Sequence, residues 1–218
     1  MPYRLGNEIT FPHPSLADED GLLAVGGDLS TDRLLLAYAH GIFPWYSDDT
    51  PILWYAPPER FVLHPKEIKI SKSMRQFMRN SGLIVKHNSA FANVIAQCAA
   101  TPRADQDGTW ITNDMQQAYL KLHELGYAHS MEVYNRESTL VGGLYGIQIG
   151  RVFCGESMFS HVSNASKMAL IYLCTHFDFE LIDCQVYSEH LSSLGASFMS
   201  SDSYYNLLQQ QHFAAHAL

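Results

Sequence analysis

The chain has 218 residues, 47% of them apolar, and a formal net charge of −8. That apolar share suits a packed core and excludes a disordered chain, and the length suits one large domain or one domain with a small companion. The negative charge argues against a broad polyanion-binding surface, so any nucleic-acid contact has to be local.

The start, MPYRLGNEIT, offers no apolar stretch or small-residue cleavage site, so no signal peptide is expected. No run of 18 apolar residues exists to span a membrane. Cys98, Cys154, Cys174 and Cys184 stand in apolar stretches without a CxxC pair. They read as reduced, buried thiols of a cytoplasmic protein, and no His or Cys has zinc-ligand spacing to them, so no metal is expected.

The first 60 residues are rich in Pro, Gly and aromatics and contain one clear helix. Ser30 or Thr31 caps it, Leu34, Leu35, Ala37 and Tyr38 form its apolar face, and Gly41 ends it. The flanking segments, 11–30 and 41–60, read as loops, and Pro57 and Pro58 mark a boundary. This predicts a small N-terminal domain over 1–60 and a larger domain over 61–218. In the larger one, helices are predicted over 71–80 and 90–100 and from Thr112 or Asn113 to Gly126. Strands follow at 129–135, 139–150 and 151–159, the last two forming a hairpin through Ile149 and Gly150. Asn164 opens the most apolar helix, over 164–177. A strand, FELIDCQV (179–186), and a closing helix over 201–211 complete the order. Antiparallel strands, a buried helix and a further strand make an α+β domain with a mixed sheet, the order of an acetyltransferase-like (GNAT-like) fold.

Several residues invite chemistry. Asp183 and Gln185 are two apart on a predicted strand, so both leave the same face, while Ile182, Cys184 and Val186 turn to the core. They form either a reacting pair or two sheet residues satisfied by backbone. Glu156, in FCGESMF, is a carboxylate in an apolar strand and needs a partner. Trp45, after Pro44, and Trp110, near Gly108, fall in loops, where rings either stack bases or seal a core. Leu144 and Phe153 lie on paired strands as core or as pocket lining. Lys66, Lys69, Lys72, Arg75 and Arg79 form a basic stretch in an acidic chain. The last three share one helical face, with Met74, Phe77 and Met78 pointing to the core, and such a stripe either grips phosphates or is simply solvated.

An ordered series of segments then carries a resemblance. GLLAVGGDLS (21–30), HGIFPWYS (40–47), PILWYAP (51–57), GTWIT (108–112), LHELGYAHSMEV (122–133), LVGGLYG (140–146), FCGESMFS (153–160), NASKMAL (164–170) and LIDCQV (181–186) cover nearly the whole chain. In this order they resemble the leucyl/phenylalanyl-tRNA–protein transferase family. The resemblance implies transfer of Leu or Phe, and also Met, from aminoacyl-tRNA to the N-terminal Arg or Lys of acceptor proteins, marking them for N-degron degradation. It implies that Trp45 and Trp110 hold the terminal adenosine, and that Leu144 and Phe153 line the side-chain pocket. Glu156 would receive the α-ammonium, and Asp183 with Gln185 would carry the chemistry. Lys66, Lys69, Lys72, Arg75 and Arg79 are the residues expected to meet tRNA phosphates. Ser188 departs from the family, which often has Asn there.

The implied reaction is aminolysis of an ester, which runs downhill and requires no cofactor, and the chain has no P-loop. The protein is expected to act as a monomer. Two other readings stand beside this one. An acyl-CoA-dependent N-acyltransferase would need a Gly-rich turn before the central helix, and the turn here, SHVSNAS (160–166), has no glycine. A non-catalytic RNA-binding protein would be indifferent to mutation of Asp183.

Overall fold

A short strand, β1 (Tyr3–Leu5), pairs in parallel with β2 (Leu22–Gly26). After helix α1 (Thr31–Ala39) the chain adds β3 (Phe43–Pro44) and β4 (Leu53–Tyr55), giving a four-stranded sheet in the order β1-β2-β4-β3. The segments read as loops therefore contain strands. At two to five residues these are too short to display the alternation by which a strand is read. The computed structural model describes residues 1–101 and 109–211, so Gly108 lies outside the described residues.

Past Pro57 and Pro58 the chain enters a second sheet with β5 (Glu59–Leu63). Then come α2 (Lys72–Asn80), β6 (Ile84–His87), α3 (Phe91–Ala100), α4 (Asn113–Glu124) and β7 (Ala128–Tyr134). The hairpin of β8 (Leu140–Ile149) and β9 (Val152–Ser160) turns through Gly150 and Arg151. Helix α5 (Ala165–His176), strand β10 (Leu181–Asp183), helix α6 (Glu189–Ser193), strand β11 (Ser197–Ser200) and helix α7 (Ser201–Gln209) finish the chain. The seven strands run β11-β5-β10-β9-β8-β7-β6. All neighbours are antiparallel except β9 and β10, which α5 joins as a parallel crossover. This is the α+β mixed-sheet architecture expected from the sequence.

The helix starts were legible because their caps are made locally. Ser71 accepts from the Met74 N–H at 3.1 Å and Thr112 from the Met115 N–H at 3.2 Å. Strands β5, β6 and β11 and helix α6 were not read, and the strand over 179–186 shrinks to Leu181–Asp183. One core cluster lies between the two sheets and joins Leu23, Tyr38 and Trp54 of the N-terminal part to Tyr119 and Tyr145. A second lies between the large sheet and α5, with Leu144, Phe153 and Ile182 among its members.

One irregularity positions the site. In the β8–β9 pair, Tyr145 faces Ser157 and Gly146 faces Gly155, so Glu156 is the extra residue of a bulge, and the bulge re-aims its side chain. Gly146 makes room for it. A Cβ there would overlap the Cys154 carbonyl oxygen and approach Phe153 Cε1 to 2.5 Å. Because backbone cannot retreat as a flexible side chain can, Gly146→Ala is expected to cost about 1–3 kcal/mol. That lowers the melting temperature by several degrees, and an unchanged thermal melt would refute it.

Candidate active site

A cleft of about 740 Å³ opens where β9 and β10 part, beneath β3. Its deep end is apolar and is formed by Leu144, Phe153, Leu170, Leu173 and Ile182. Trp45 and Trp110 line the same cleft. Trp45 is 37% exposed, its ring centroid 5.9 Å from that of Tyr55. The buried tryptophan of this region is Trp54, whose indole N–H donates to the Gly26 carbonyl at 2.8 Å. Of the three tryptophans, Trp54 serves the core, while Trp45 and Trp110 border open space.

The polar residues meet at the junction of these parts. Glu156 is buried and accepts from Gln185 Nε2 at 2.8 Å on one oxygen and from the Tyr119 hydroxyl at 3.2 Å on the other. The Tyr38 hydroxyl in turn bonds that of Tyr119. No cation forms an ion pair with Glu156 among the described residues. Burial pushes its carboxyl up to about 7, against the pull of the two tyrosine hydroxyls. The carboxyl thus titrates near neutrality inside a cleft, as functional groups often do.

Asp183 is fully buried, and each of its carboxylate oxygens accepts two hydrogen bonds. Oδ1 accepts from Arg60 Nε at 3.2 Å and from the Gln185 backbone N–H at 2.8 Å. Oδ2 accepts from Arg60 Nη2 and from the Tyr204 hydroxyl at 2.8 Å. The Arg60 guanidinium lies 4.8 Å from the ring centroids of both Phe43 and Tyr204 and donates to the Gly41 carbonyl. Burial is the largest influence on its pKa and works to lower it, but the charge and hydrogen bonds of Asp183, together with Tyr204 and Cys154, outweigh that, and the net shift is upward.

Gln185 departs from the arrangement read in the sequence. It lies beyond the end of β10 with φ +62°, in the left-handed region, instead of beside Asp183 on one strand face. Val186, read as a core residue, is exposed. The turn points the Gln185 side chain at Glu156 and lets its N–H reach Asp183. Its Oε1 has no hydrogen-bond partner among the described residues, and Gln185 lines the cleft.

The family model for leucyl/phenylalanyl-tRNA protein transferase matches residues 62–209, and the model for the N-terminal domain of the same family matches 27–58. This chain belongs to the leucyl/phenylalanyl-tRNA–protein transferase family. It is an aminoacyltransferase that moves a leucyl or phenylalanyl group from tRNA to protein. The transferase of Syntrophus aciditrophicus (strain SB) is 56% identical over 94% of this chain and 87% of its own length. That of Syntrophobacter fumaroxidans is 53% identical over 96% of this chain and 91% of its own. Among solved structures, a GCN5-related N-acetyltransferase from Kribbella flavida aligns at a TM-score of 0.40 and 9% identity, over 75% of this chain and 58% of that one. That likeness is too slight to bear on function.

Within the transferase, the cleft gathers Trp45, Trp110, Leu144, Phe153, Glu156, Asp183 and Gln185 from positions far apart in the chain. The basic stretch is elsewhere. Lys66, Lys69, Lys72, Arg75 and Arg79 are all exposed, on a turn and on α2, and none lines the cleft. Met74 is buried, with Phe77 and Met78 packed beside it, as the helical spacing implied. Ser188 accepts from the Leu191 N–H at 3.2 Å and caps α6. Burial pushes the thiols of Cys154 and Cys184 up, so neither is poised as a nucleophile. Sequence reasoning missed Arg60, Tyr204, Tyr119 and Tyr38. Arg60 alone left a signal, as a cation in the strand ERFVL that had to find a buried anion. No helix of the described residues is long and apolar enough to cross a membrane.

Proposed function

We propose that this cleft holds the 3′ end of an aminoacyl-tRNA, with Leu, Phe or Met in the apolar end and the terminal adenosine on Trp45 and Trp110. The observation that carries the reading is Glu156, a buried carboxylate without a cationic partner among the described residues, at the rim of an apolar pocket. A buried carboxylate is stabilised by an arriving cation, and the α-ammonium of an esterified amino acid is a cation one carbon away from an apolar side chain. The apolar end separates Leu, Phe and Met only weakly, because a methylene is worth about 1–3 kcal/mol.

In this reading the acceptor's α-amine attacks the ester carbonyl, the C–O bond to the ribose breaks, and the 3′ oxygen leaves with a proton. An α-amine has a pKa of about 7.7–8.0, so a useful fraction is neutral at pH 7. Gln185 Oε1 accepts from an amine N–H and aims its lone pair at the carbonyl. Asp183 acts through Gln185, holding the left-handed turn by its backbone N–H, since Arg60 and Tyr204 occupy its oxygens. The neighbouring 2′-hydroxyl relays the proton from the amine to the leaving oxygen. Residues 1–60 bring Trp45 to the catalytic unit of 61–218. The acceptors begin with Arg or Lys, the products are marked for degradation in the cytoplasm, and the enzyme acts as a monomer.

The test is direct. Labelled Leu-tRNA with a peptide beginning in Arg or Lys gives labelled peptide, and the same peptide beginning in Ala or Asp does not. Transfer from acetyl-CoA in place of aminoacyl-tRNA would overturn the reading.

The exposed stripe is the proposed contact for the acceptor stem, held by its phosphates. Changing Lys72, Arg75 and Arg79 together to Ala weakens tRNA binding and flattens its dependence on salt. Each lost contact reduces the log–log slope by about 0.7–0.9. A triple variant with the wild-type slope removes the stripe from the interface.

A further inference from the structure

Two residues past Gln185 the chain reaches Tyr187, whose ring is 54% exposed, and beside it lies Phe198 of β11, also 54% exposed. The two rings stack with centroids 6.1 Å apart and 16° between planes. Both lean on Phe61 of β5, at 5.2 and 5.0 Å. Tyr187 also lines the cleft, so the open rings continue the donor site outward. Glu59 precedes Phe61 by two on β5 and therefore shares its sheet face. It sits opposite Ser200 and diagonal to Phe198. The pairing of Leu63 with Ile182 and of Val62 with Asp183 places Glu59 at the end of the sheet where the chain passes from Gln185 to Tyr187. Glu59 is exposed and makes no ion pair among the described residues. Its neighbour Arg60 is committed to Asp183 on the other face.

We infer that Tyr187, Phe198 and Glu59 hold the side chain of the acceptor's N-terminal Arg or Lys, an inference that rests on the acceptor reading above. A guanidinium or ammonium is attracted to an aromatic face, and a nearby carboxylate supplies the counter-charge. Gln185 and Tyr187 both line the cleft, so the patch adjoins the place where the α-amine attacks. The carboxylate repels an RNA backbone, so this patch suits a cationic peptide better than an acceptor stem.

Steady-state transfer from Leu-tRNA to three peptides that differ only in their first residue, Arg, Lys or the uncharged isostere citrulline, tests this. Glu59→Gln raises KM for the Arg and Lys peptides about three- to fivefold, the size of an exposed ion pair, and leaves KM for the citrulline peptide unmoved. Tyr187→Leu keeps apolar packing on Phe61 but removes the ring face, and raises KM for the charged peptides about threefold. KM for Leu-tRNA stays the same in Glu59→Gln, whose side chain lies outside the cleft. If wild-type enzyme uses citrulline as well as Arg, the acceptor reading fails and this inference with it. If wild type prefers Arg but both variants keep its peptide KM, only the inference falls. A rise in KM for Leu-tRNA instead would give the patch to the donor and also overturn it.

Discussion

Asp183→Asn is expected to lower the melting temperature by roughly 10 °C and to slow transfer per folded molecule about a hundredfold. The first effect follows from Arg60. The guanidinium is buried with Asp183 as its counter-charge, and the amide would leave a buried cation uncompensated. Breaking such a pair by removing one partner costs about 3–5 kcal/mol, and a chain of this size loses about 2–4 °C for each kcal/mol. The second effect follows from Gln185, whose left-handed turn is tied by its N–H to Asp183 Oδ1 at 2.8 Å. Without a full carboxylate, Gln185 wanders from the geometry that aims the attacking amine. Thermal melts and single-turnover rates, corrected for folded fraction, separate the two. A destabilised variant with full activity per folded molecule would make Asp183 a structural partner alone. An inactive variant of wild-type stability would mean that the ion pair contributes little to the fold. Arg60→Met with Asp183→Leu refines the test, because replacing a buried pair by apolar residues is often neutral for stability. That double variant is expected to fold and not to transfer.

The sequence disclosed what is periodic or locally capped. Helices α2, α4 and α5 and the β8–β9 hairpin carry their spacing, their Ser71 and Thr112 caps or their turn within a few residues of one another. The short strands of the N-terminal sheet do not, because they depend on partners such as the Leu22–Tyr55 pairing, set by the tertiary fold. The cleft residues were reached through the ordered segments rather than through spacing. Their roles differ from what spacing suggested because the backbone breaks its pattern at the site. A bulge takes Glu156 out of register, and a left-handed residue takes Gln185 off the strand face. Neither irregularity follows from alternation, which assumes an unbroken strand. Tyr204 and Arg60 stand 144 positions apart and meet at Asp183, with the guanidinium over the tyrosine ring, contacts no local pattern encodes.

Glu156→Gln is expected to move stability the opposite way. The folded carboxyl is raised from 4.5 to about 7, chiefly by burial. Below 4.5 it is protonated in folded and unfolded chains alike. Between 4.5 and 7 the folded chain keeps a proton that the unfolded chain has lost, and above 7 both are ionised, with the full cost of the buried charge in place. The stability that Glu156 contributes is therefore present at low pH and is lost as pH rises to about 7. Gln carries no such charge and still offers an oxygen to Tyr119, while its amide pairs with Gln185 once that side chain turns its own oxygen toward it. The variant should match wild type near pH 4.5 and exceed it by roughly 3 kcal/mol at pH 8. Its function should suffer in the same range. The donor's α-ammonium loses its counter-charge, and truncating one partner of a buried charged pair costs about 2–5 kcal/mol, so KM for Leu-tRNA rises on the order of a hundredfold. A site built for a charged ligand is strained without it, which is the trade of stability for activity expected here. Thermal melts at several pH values, paired with donor KM at pH 8, decide the matter. A Gln variant less stable than wild type at pH 8 would mean that Glu156 is already satisfied in the empty cleft. In that case the α-ammonium would have to be held by another group.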